Sequence, residues 1–302
     1  MELKPTLLEN VTVVIRYAGE ATLPSLRSQV FKEVEQRNVF IVEEIPFSKA
    51  VEKTFSIGIA NDKEWTLALD ADLLLLPNAI EKLIQSGNKC KENLYIYQAY
   101  ILDWFRGGLK YGGPHLYKTC NLNKALEFVN VNRNNLRPES AIYKSMSKLG
   151  YKVVVDEKIF SIHDFHQSFQ DIYRKAYFHG IKHPSYINFI SDWIKKSKNN
   201  LDYQIAVKGF IEGYYANQNA YPSVKDLNEN FQKRFDIVES KIDKIDYKEV
   251  KEILVNFGIE FNEQNEIKRS SKKRITKLLD KINPKKRLKK LLIIFTAVED
   301  SM

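Results

Sequence analysis

The sequence has few cysteines and no long hydrophobic run. Cys90 and Cys120 are its two cysteines, which is too few for a disulfide framework or for a repeated Cys/His metal-ligand spacing. The longest apolar stretches, residues 73–76 and 291–298, are far shorter than the roughly 20 residues of a membrane-spanning helix. We therefore expect a protein of the reducing cytosol that does not cross a membrane.

Two glycine-rich nucleotide-binding motifs are also absent. No Gly-x-Gly-x-x-Gly follows the first apolar segment, residues 11–17, and no Walker loop occurs. These absences disfavour a dinucleotide-dependent dehydrogenase and a P-loop enzyme. The chain nevertheless has 302 residues and 44% hydrophobic content, enough for a substantial core.

Positive charge is concentrated at the end of the chain. From Ile267 onward, twelve Lys and Arg residues face three acids, whereas the preceding residues are balanced. Apolar residues recur at helical spacing on both sides of Pro284, which predicts two short basic amphipathic helices. We expect residues 267–297 to lie on an anionic membrane surface. Docking on the body or self-association is the alternative, and the neutral body argues against nucleic acid.

Predicted strands and helices alternate through the first part of the chain. Apolar runs predict strands at residues 11–17, 39–43 and 65–69, with helices at 23–36 and 47–61 between them. This alternation predicts an α/β fold with a mainly parallel sheet covered by helices. Ligands of such sheets bind beyond the carboxyl ends of the strands.

Two carboxylates occupy that position. Asp70 and Asp72 follow the apolar run at 65–69 at a spacing of two. Mg²⁺ or Mn²⁺ takes oxygen ligands from such acids together with substrate phosphates. The alternative is that the acids cap the predicted helix at residues 77–86.

Further candidates follow later in the chain. Residues 106–115 are dense in glycine and predict a close-approach loop that carries His115, either an acceptor contact or a surface residue. Glu139 precedes a predicted helix at 141–149, and His163 follows a predicted strand.

This order of parts resembles the GT-A nucleotide-sugar glycosyltransferases, specifically the inverting family 2 group, over residues 11–183. The resemblance implies a GT-A, Rossmann-like catalytic domain at residues 1–185. A helical extension at 186–265 and the basic amphipathic tail at 266–302 would follow it.

The resemblance also implies roles for single residues. Asp72 would bind Mn²⁺ or Mg²⁺ that bridges the donor diphosphate, Asp70 would face the ribose or a metal-bound water, and His163 would approach the metal. Glu139 would be the catalytic base, since it lies eleven residues before Gly150, although family members usually carry Asp there.

Donor-binding residues are expected near the first strand. By the same resemblance, Arg16, Tyr17 and Glu20 would contact the nucleobase or ribose; Arg16 could instead meet a phosphate or pair with an acid such as Glu43. Lys53, on the helix before Asp70, is a candidate diphosphate contact, with a solvated helix face as the alternative.

Together these features predict a metal-dependent glycosyltransferase in cell-surface polysaccharide synthesis. It would move a sugar from a nucleotide-diphosphate donor to a glycan or lipid-linked acceptor at the inner face of a membrane. A nucleotidyltransferase is disfavoured because its lysine-rich glycine loop is absent after residues 11–17. A non-catalytic scaffold with a degenerate transferase domain is the remaining alternative.

Overall fold

The computed structural model describes residues 7–90, 93–105, 107–132, 137–165, 167–182, 187–216, 222–235, 237, 247–256 and 258–268. The described residues form two compact units. The first is drawn from Met1–His166 and Ile242–Ser271, and the second from Gln167–Lys241.

Strands and helices alternate through the first unit, and the described elements of the second unit are helices. The strands are β1 Val11–Arg16, β2 Val39–Val42, β3 Trp65–Asp70, β4 Leu73–Leu75, β5 Leu94–Asp103, β6 Gly108–Lys118 and β7 Lys152–His163. The helices are α1 Leu23–Val30, α2 Phe47–Asn61, α3 Ala79–Asn88, α4 Leu122–Val131, α5 Pro138–Lys148, α6 Phe169–Lys182, α7 Ile187–Ser197, α8 Leu201–Tyr215, α9 Val224–Arg234 and α10 Tyr247–Asn256.

The sheet has the order β2-β1-β3-β6-β5-β7-β4 and is mixed. The pairs β1/β2, β1/β3 and β5/β7 are parallel, and the other three pairs are antiparallel. The predicted α/β class is therefore confirmed, but the sheet is less parallel than expected. Two of the antiparallel pairs involve β6, most of which was predicted to be a glycine-rich loop, and the third joins β4 to β7.

The glycines of β6 permit close packing within the sheet and do not form a turn. A Cβ atom on Gly112 would lie 3.0 Å from Cδ1 of Ile101, and one on Gly113 would lie 3.2 Å from the ring of His115. The glycines therefore leave room for side chains that pack over the strand. A high glycine content predicted the wrong backbone here because it does not distinguish a loop from a closely packed strand.

The sheet curls so that its two distant strands meet. β3 and β4 stand four places apart in the strand order, about 19 Å in a flat sheet. Only Ala71 and Asp72 separate them in the chain, which spans at most about 11 Å. The sheet must therefore bend until β4, and with it β7, returns to the end of β3.

The central strands are buried on both faces. Every residue of β1 is buried, and so are the first five residues of β3. Strands covered by helices on both sides are continuous apolar runs, because neither face meets water. This burial is why the apolar runs in the sequence predicted β1 and β3 well.

Helices α6 and α8 of the second unit touch through glycine. A Cβ on Gly213 would lie 1.9 Å from the carbonyl oxygen of Tyr177, and one on Gly180 would lie 2.3 Å from that of Phe210. Glycine therefore permits backbone contact between the two helices at both points.

The last described residues return to the first unit. Ile267 is buried, forms a bridge with Phe261 and donates its N–H to the carbonyl of Glu157. The remainder of the predicted basic tail, from residue 269 onward, lies outside the described residues. In the described part of the chain, no helix is long and apolar enough to cross a membrane.

Candidate active site

Arg16 links two acids at the carboxyl ends of the central strands. Strands β1 and β3 are parallel and in register, so Arg16 stands beside Asp70. Its Nε donates to Oδ1 of Asp70 at 2.8 Å, and its Nη1 donates to Oε1 of Glu139 at 2.6 Å. The guanidinium also lies 4.8 Å from the centre of the Phe47 ring. Arg16 therefore pairs with acids, and these acids are Asp70 and Glu139 and not the suggested Glu43.

Glu139, in the first turn of α5, is held in its ionised form. Its Oε1 accepts a second hydrogen bond, at 2.7 Å, from the hydroxyl of Tyr117. Burial alone would raise the pKa of Glu139, but the charge of Arg16 and the hydrogen bonds from Arg16 and Tyr117 lower it to about 2. A carboxylate with so low a pKa is a weak base, so removal of a proton by Glu139 would require its contact with Arg16 to loosen.

His115 extends this polar network into the core. Its Nδ1 lies 2.6 Å from Nε2 of Gln98 and 2.9 Å from the hydroxyl of Tyr143. Because both neighbours can donate, Nδ1 is the acceptor and Nε2 carries the hydrogen, facing Oε2 of Glu139 at 3.9 Å. Burial lowers the pKa of His115, which favours this neutral form. The alternative of a surface loop residue is wrong, since His115 is 7% exposed on β6.

A second cluster contains Asp72, His163 and Asp164. Nε2 of His163 lies 3.4 Å from Oδ2 of Asp72, and its Nδ1 lies 3.0 Å from Oδ2 of Asp164. The antiparallel pairing of β4 with β7 places Leu73 opposite His163, and Asp164 donates its N–H to the carbonyl of Asp72 at 3.2 Å. The curl of the sheet therefore brings these residues together.

The two clusters share one short segment of backbone. Ala71 lies between Asp70 and Asp72, and its N–H donates to the carbonyl of Arg16 at 2.9 Å. Asp70, whose side chain is 36% exposed, is the more accessible of the two acids. The ion pairs of Arg16 and the Asp72 cluster are thus parts of one continuous site.

A buried acid and a lysine also lie near Nδ1 of His163, the nitrogen that Asp164 contacts. Oδ2 of Asp103, at the end of β5, lies 3.7 Å from Nδ1 of His163 and 2.6 Å from Nζ of Lys110. Burial alone would lower the pKa of His163, but Asp164 and Asp72 raise it to about 10. An imidazolium therefore stands between the two carboxylates and offsets their repulsion.

The donor set of the second cluster suits a divalent cation. Asp72, His163 and Asp164 can each offer one ligand atom, and these atoms lie within 4.8 Å of one another. Two carboxylate oxygens with one imidazole nitrogen suit Mn²⁺ better than Mg²⁺, which favours oxygen ligands alone. The residues present therefore fit the expected metal, which on binding would displace the proton from the ligating nitrogen of His163.

The structure gives a local contact for each of two predicted donor-binding residues and places a third on a helix surface. The N–H of Tyr17 donates to the carbonyl of Val42, and the carboxylate of Glu20 accepts a hydrogen bond from the N–H of Ala18 at 2.6 Å. Lys53 is exposed on α2. Ion pairs join Arg16 to Asp70 and Glu139, and a separate contact joins Asp72 to His163. The roles of all these residues stay predictions.

Several members of the site were not predicted from the sequence. Asp164 directly follows His163, and Asp103 ends an apolar strand much as Asp70 does, so both had a signal in the sequence. Lys110 and Tyr117 had no such signal in the sequence. Both lie on β6, where residues 106–115 were predicted to form a loop.

Comparison with known proteins gives little further information. No family model and no curated protein matches the chain. Among solved structures, the chain is similar to the crystal structure of a glycosyltransferase involved in the glycosylation of the major capsid of PBCV-1. The TM-score is 0.39 and the identity 13%, over 52% of this chain and 94% of that one. Similarity at this level establishes no activity for this chain.

Proposed function

We propose that this protein is a metal-dependent glycosyltransferase that moves a sugar from a nucleotide-diphosphate donor to an acceptor. The observation that carries the proposal is the convergence of Asp72, His163 and Asp164 beyond the ends of β3 and β7. A divalent cation on these three side chains would neutralise the negative charge of a diphosphate. Nucleotides of α/β proteins bind at the carboxyl ends of the strands, where this cluster lies.

The ligands of the cation would be Asp72, His163 and Asp164. Mn²⁺ held by these residues would supply positive charge that neutralises the departing diphosphate. Asp103 lies near Nδ1 of His163 and forms an ion pair with Lys110, and these contacts would fix the orientation of the imidazole ring. Asp70 presents a partly exposed carboxylate at the same edge, suited to accept a hydrogen bond from a ribose hydroxyl.

Glu139 is the proposed catalytic base, and its contacts determine which of its two carboxylate oxygens an acceptor could reach. Oε1 of Glu139 is engaged by Arg16 and Tyr117, whereas Oε2 has only the distant Nε2 of His115 among these partners. An acceptor hydroxyl would therefore approach Oε2. We further propose a glycan or lipid-linked acceptor at an anionic membrane surface, supported by the basic amphipathic pattern of residues 267–297.

A thermal-shift experiment tests the binding step. UDP, GDP, CDP and dTDP are each added with Mn²⁺, Mg²⁺ or EDTA to the wild type, to Asp72→Asn and to the control Asp62→Asn. Asp62 is exposed with a φ of 50°, a conformation that Asn tolerates, so the control makes the same chemical change away from the site. We expect one nucleotide to stabilise the wild type and Asp62→Asn only with metal, and not Asp72→Asn. Equal shifts in both variants, or none in the wild type, would argue for a scaffold or another substrate class.

A further inference from the structure

Tyr100 and Tyr111 form a stacked pair on neighbouring strands. They are register partners on β5 and β6, and their ring centres lie 4.5 Å apart at an interplanar angle of 25°. The hydroxyl of Tyr100 donates a hydrogen bond to that of Tyr111 at 2.8 Å. The stacking and the hydrogen bond together fix the orientation of both rings. We refer to these two residues as the tyrosine pair.

The outer ring of the tyrosine pair is open to solvent. Tyr111 is 58% exposed, whereas Tyr100 is half-buried. Because Tyr100 covers one face of the Tyr111 ring, an exposure of this size leaves the opposite face accessible. A tyrosine ring that is already held in one orientation binds a ligand at a low cost in conformational entropy.

The tyrosine pair lies on the same face of the sheet as the polar network of Glu139. Gln98 and Tyr100 are two positions apart on β5, and the extra residues of the register shifts at this point lie in β6 and β7. The side chains of Gln98 and Tyr100 therefore point to one face of β5. Gln98 contacts His115, which in turn faces Oε2 of Glu139.

Strand β5 contacts both clusters of the candidate active site, and the tyrosine pair lies between these contacts. Gln98 adjoins the network of Glu139, and Asp103, at the end of the strand, lies 3.7 Å from His163. Tyr100 is about 7 Å along the strand from Gln98 and about 10 Å from Asp103. A ligand on the tyrosine pair would therefore lie next to the candidate active site.

The chemistry of the exposed ring suits a sugar. The face of an aromatic ring is electron-rich and attracts the weakly positive C–H groups of a ligand. A pyranose presents such C–H groups on one side of its ring and hydroxyls around its edge. Since the hydroxyl oxygen of Tyr111 accepts the hydrogen bond from Tyr100, its own proton can be donated to a sugar hydroxyl.

We propose that the tyrosine pair binds a pyranose ring of the acceptor glycan. This inference rests on the proposed function, because Glu139, as the base, places the acceptor on its side of the sheet. The donor diphosphate would lie at the other cluster, where Asp72, His163 and Asp164 converge.

Ligand-observed NMR with maltose, cellobiose and lactose measures sugar binding directly. We expect the wild type to bind at least one of these disaccharides saturably. Tyr111→Leu removes the aromatic ring and should weaken this binding at least about fivefold, within the range of one aromatic contact. Tyr111→Phe keeps the ring and should bind within about twofold of the wild type.

Tyr215→Leu is the matched control. Tyr215 is 75% exposed at the end of α8, and its ring also packs against a tyrosine, Tyr214. This variant loses an exposed tyrosine ring of the second unit, and it should bind the disaccharide as the wild type does. Equal loss in Tyr111→Leu and Tyr215→Leu would overturn the proposal. So would the absence of saturable binding of all three disaccharides to the wild type.

A second measurement separates this proposal from the proposed function. The thermal shift from each nucleoside diphosphate with Mn²⁺ is compared between the wild type and Tyr111→Leu. Equal nucleotide shifts together with weaker disaccharide binding by Tyr111→Leu would support both proposals. A nucleotide shift without disaccharide binding would overturn the sugar site alone. Disaccharide binding that Tyr111→Leu weakens, without any nucleotide shift in the wild type, would refute the proposed function alone. A nucleotide shift that is weaker in Tyr111→Leu would mean base stacking and would overturn the acceptor site.

Discussion

Nη1 of Arg16 lies 2.6 Å from Oε1 of Glu139, and this contact joins the end of the first strand to the start of helix α5. The two side chains are largely buried, at 3% and 12% exposure. Breaking such a pair leaves an uncompensated charge in a medium that solvates it poorly. Glu139 therefore contributes to stability, whatever its role in a reaction.

Replacing Glu139 by Gln should lower the free energy of unfolding at neutral pH by about 3 kcal/mol, near the low end of the range for breaking a buried ion pair. The pKa of Glu139 in the folded protein, about 2, is below its ordinary value. Its contribution is therefore fully present above about pH 4.5 and is lost as the pH falls toward 2. In urea denaturation, the difference in the free energy of unfolding between wild type and Glu139→Gln should become smaller below about pH 4.5. A difference that stays constant from neutral pH to about pH 3 would contradict this account.

The same variant also tests Glu139 as a base. Gln keeps the size of the side chain and a hydrogen-bond acceptor for Arg16 but cannot take a proton. If Glu139 is the base, turnover should fall by about 10²-fold or more while the nucleotide-dependent thermal shift is retained. Near-full transfer activity in the variant would remove Glu139 from the mechanism and leave it as the ionic partner of Arg16.

Replacing Asp164 by Asn should weaken Mn²⁺ binding at least about tenfold, because one anionic ligand of the cluster becomes neutral. Electron paramagnetic resonance of free Mn²⁺ in a titration of the protein measures the affinity. Asp62→Asn is the matched control and should bind Mn²⁺ as the wild type does. If both variants bind equally well, Asp164 is not a ligand, and its contact with His163 is only an ion pair.

Replacing Gly213 by Ala should destabilise the second unit by at least about 2 kcal/mol. The added Cβ would lie 1.9 Å from the carbonyl oxygen of Tyr177, and backbone cannot move aside as a flexible side chain can. Thermal melting followed by circular dichroism measures the effect. Gly108→Ala is the control, since its Cβ would meet nothing within 4 Å, and it should stay within about 0.5 kcal/mol of the wild type. Similar melting of both variants would refute close helix contact at Gly213.

The sequence predicted those parts of the fold whose cause is local. Helix α2 has the predicted bounds, Phe47–Asn61. Strand β3 was predictable because its apolar run is buried on both faces, and this run ends at Asp70. Residues 73–75, in contrast, form β4, a strand that was not predicted from the sequence. Their partner, β7, lies far away in the chain, so no local pattern could indicate the pairing.

The candidate site was predictable to a similar extent. Asp72 and His163 were recognised from their positions after apolar runs, and the curl of the sheet places them together. The partners of Arg16 were not recognised, because the contact with Asp70 depends on strand register and that with Glu139 on the placement of α5. Strand register and helix placement are tertiary properties, and a single sequence carries no direct signal for them.

The most direct test of the central claim is release of nucleoside diphosphate from a panel of nucleotide sugars, with methyl glycosides and water as acceptors. The account predicts that one nucleotide sugar is turned over with Mn²⁺. It also predicts that EDTA abolishes this turnover and that Asp72→Asn lowers it at least about 100-fold relative to Asp62→Asn. Turnover by Asp72→Asn equal to that of Asp62→Asn, or no metal-dependent turnover of any nucleotide sugar by the wild type, would contradict the assignment of a metal-dependent glycosyltransferase.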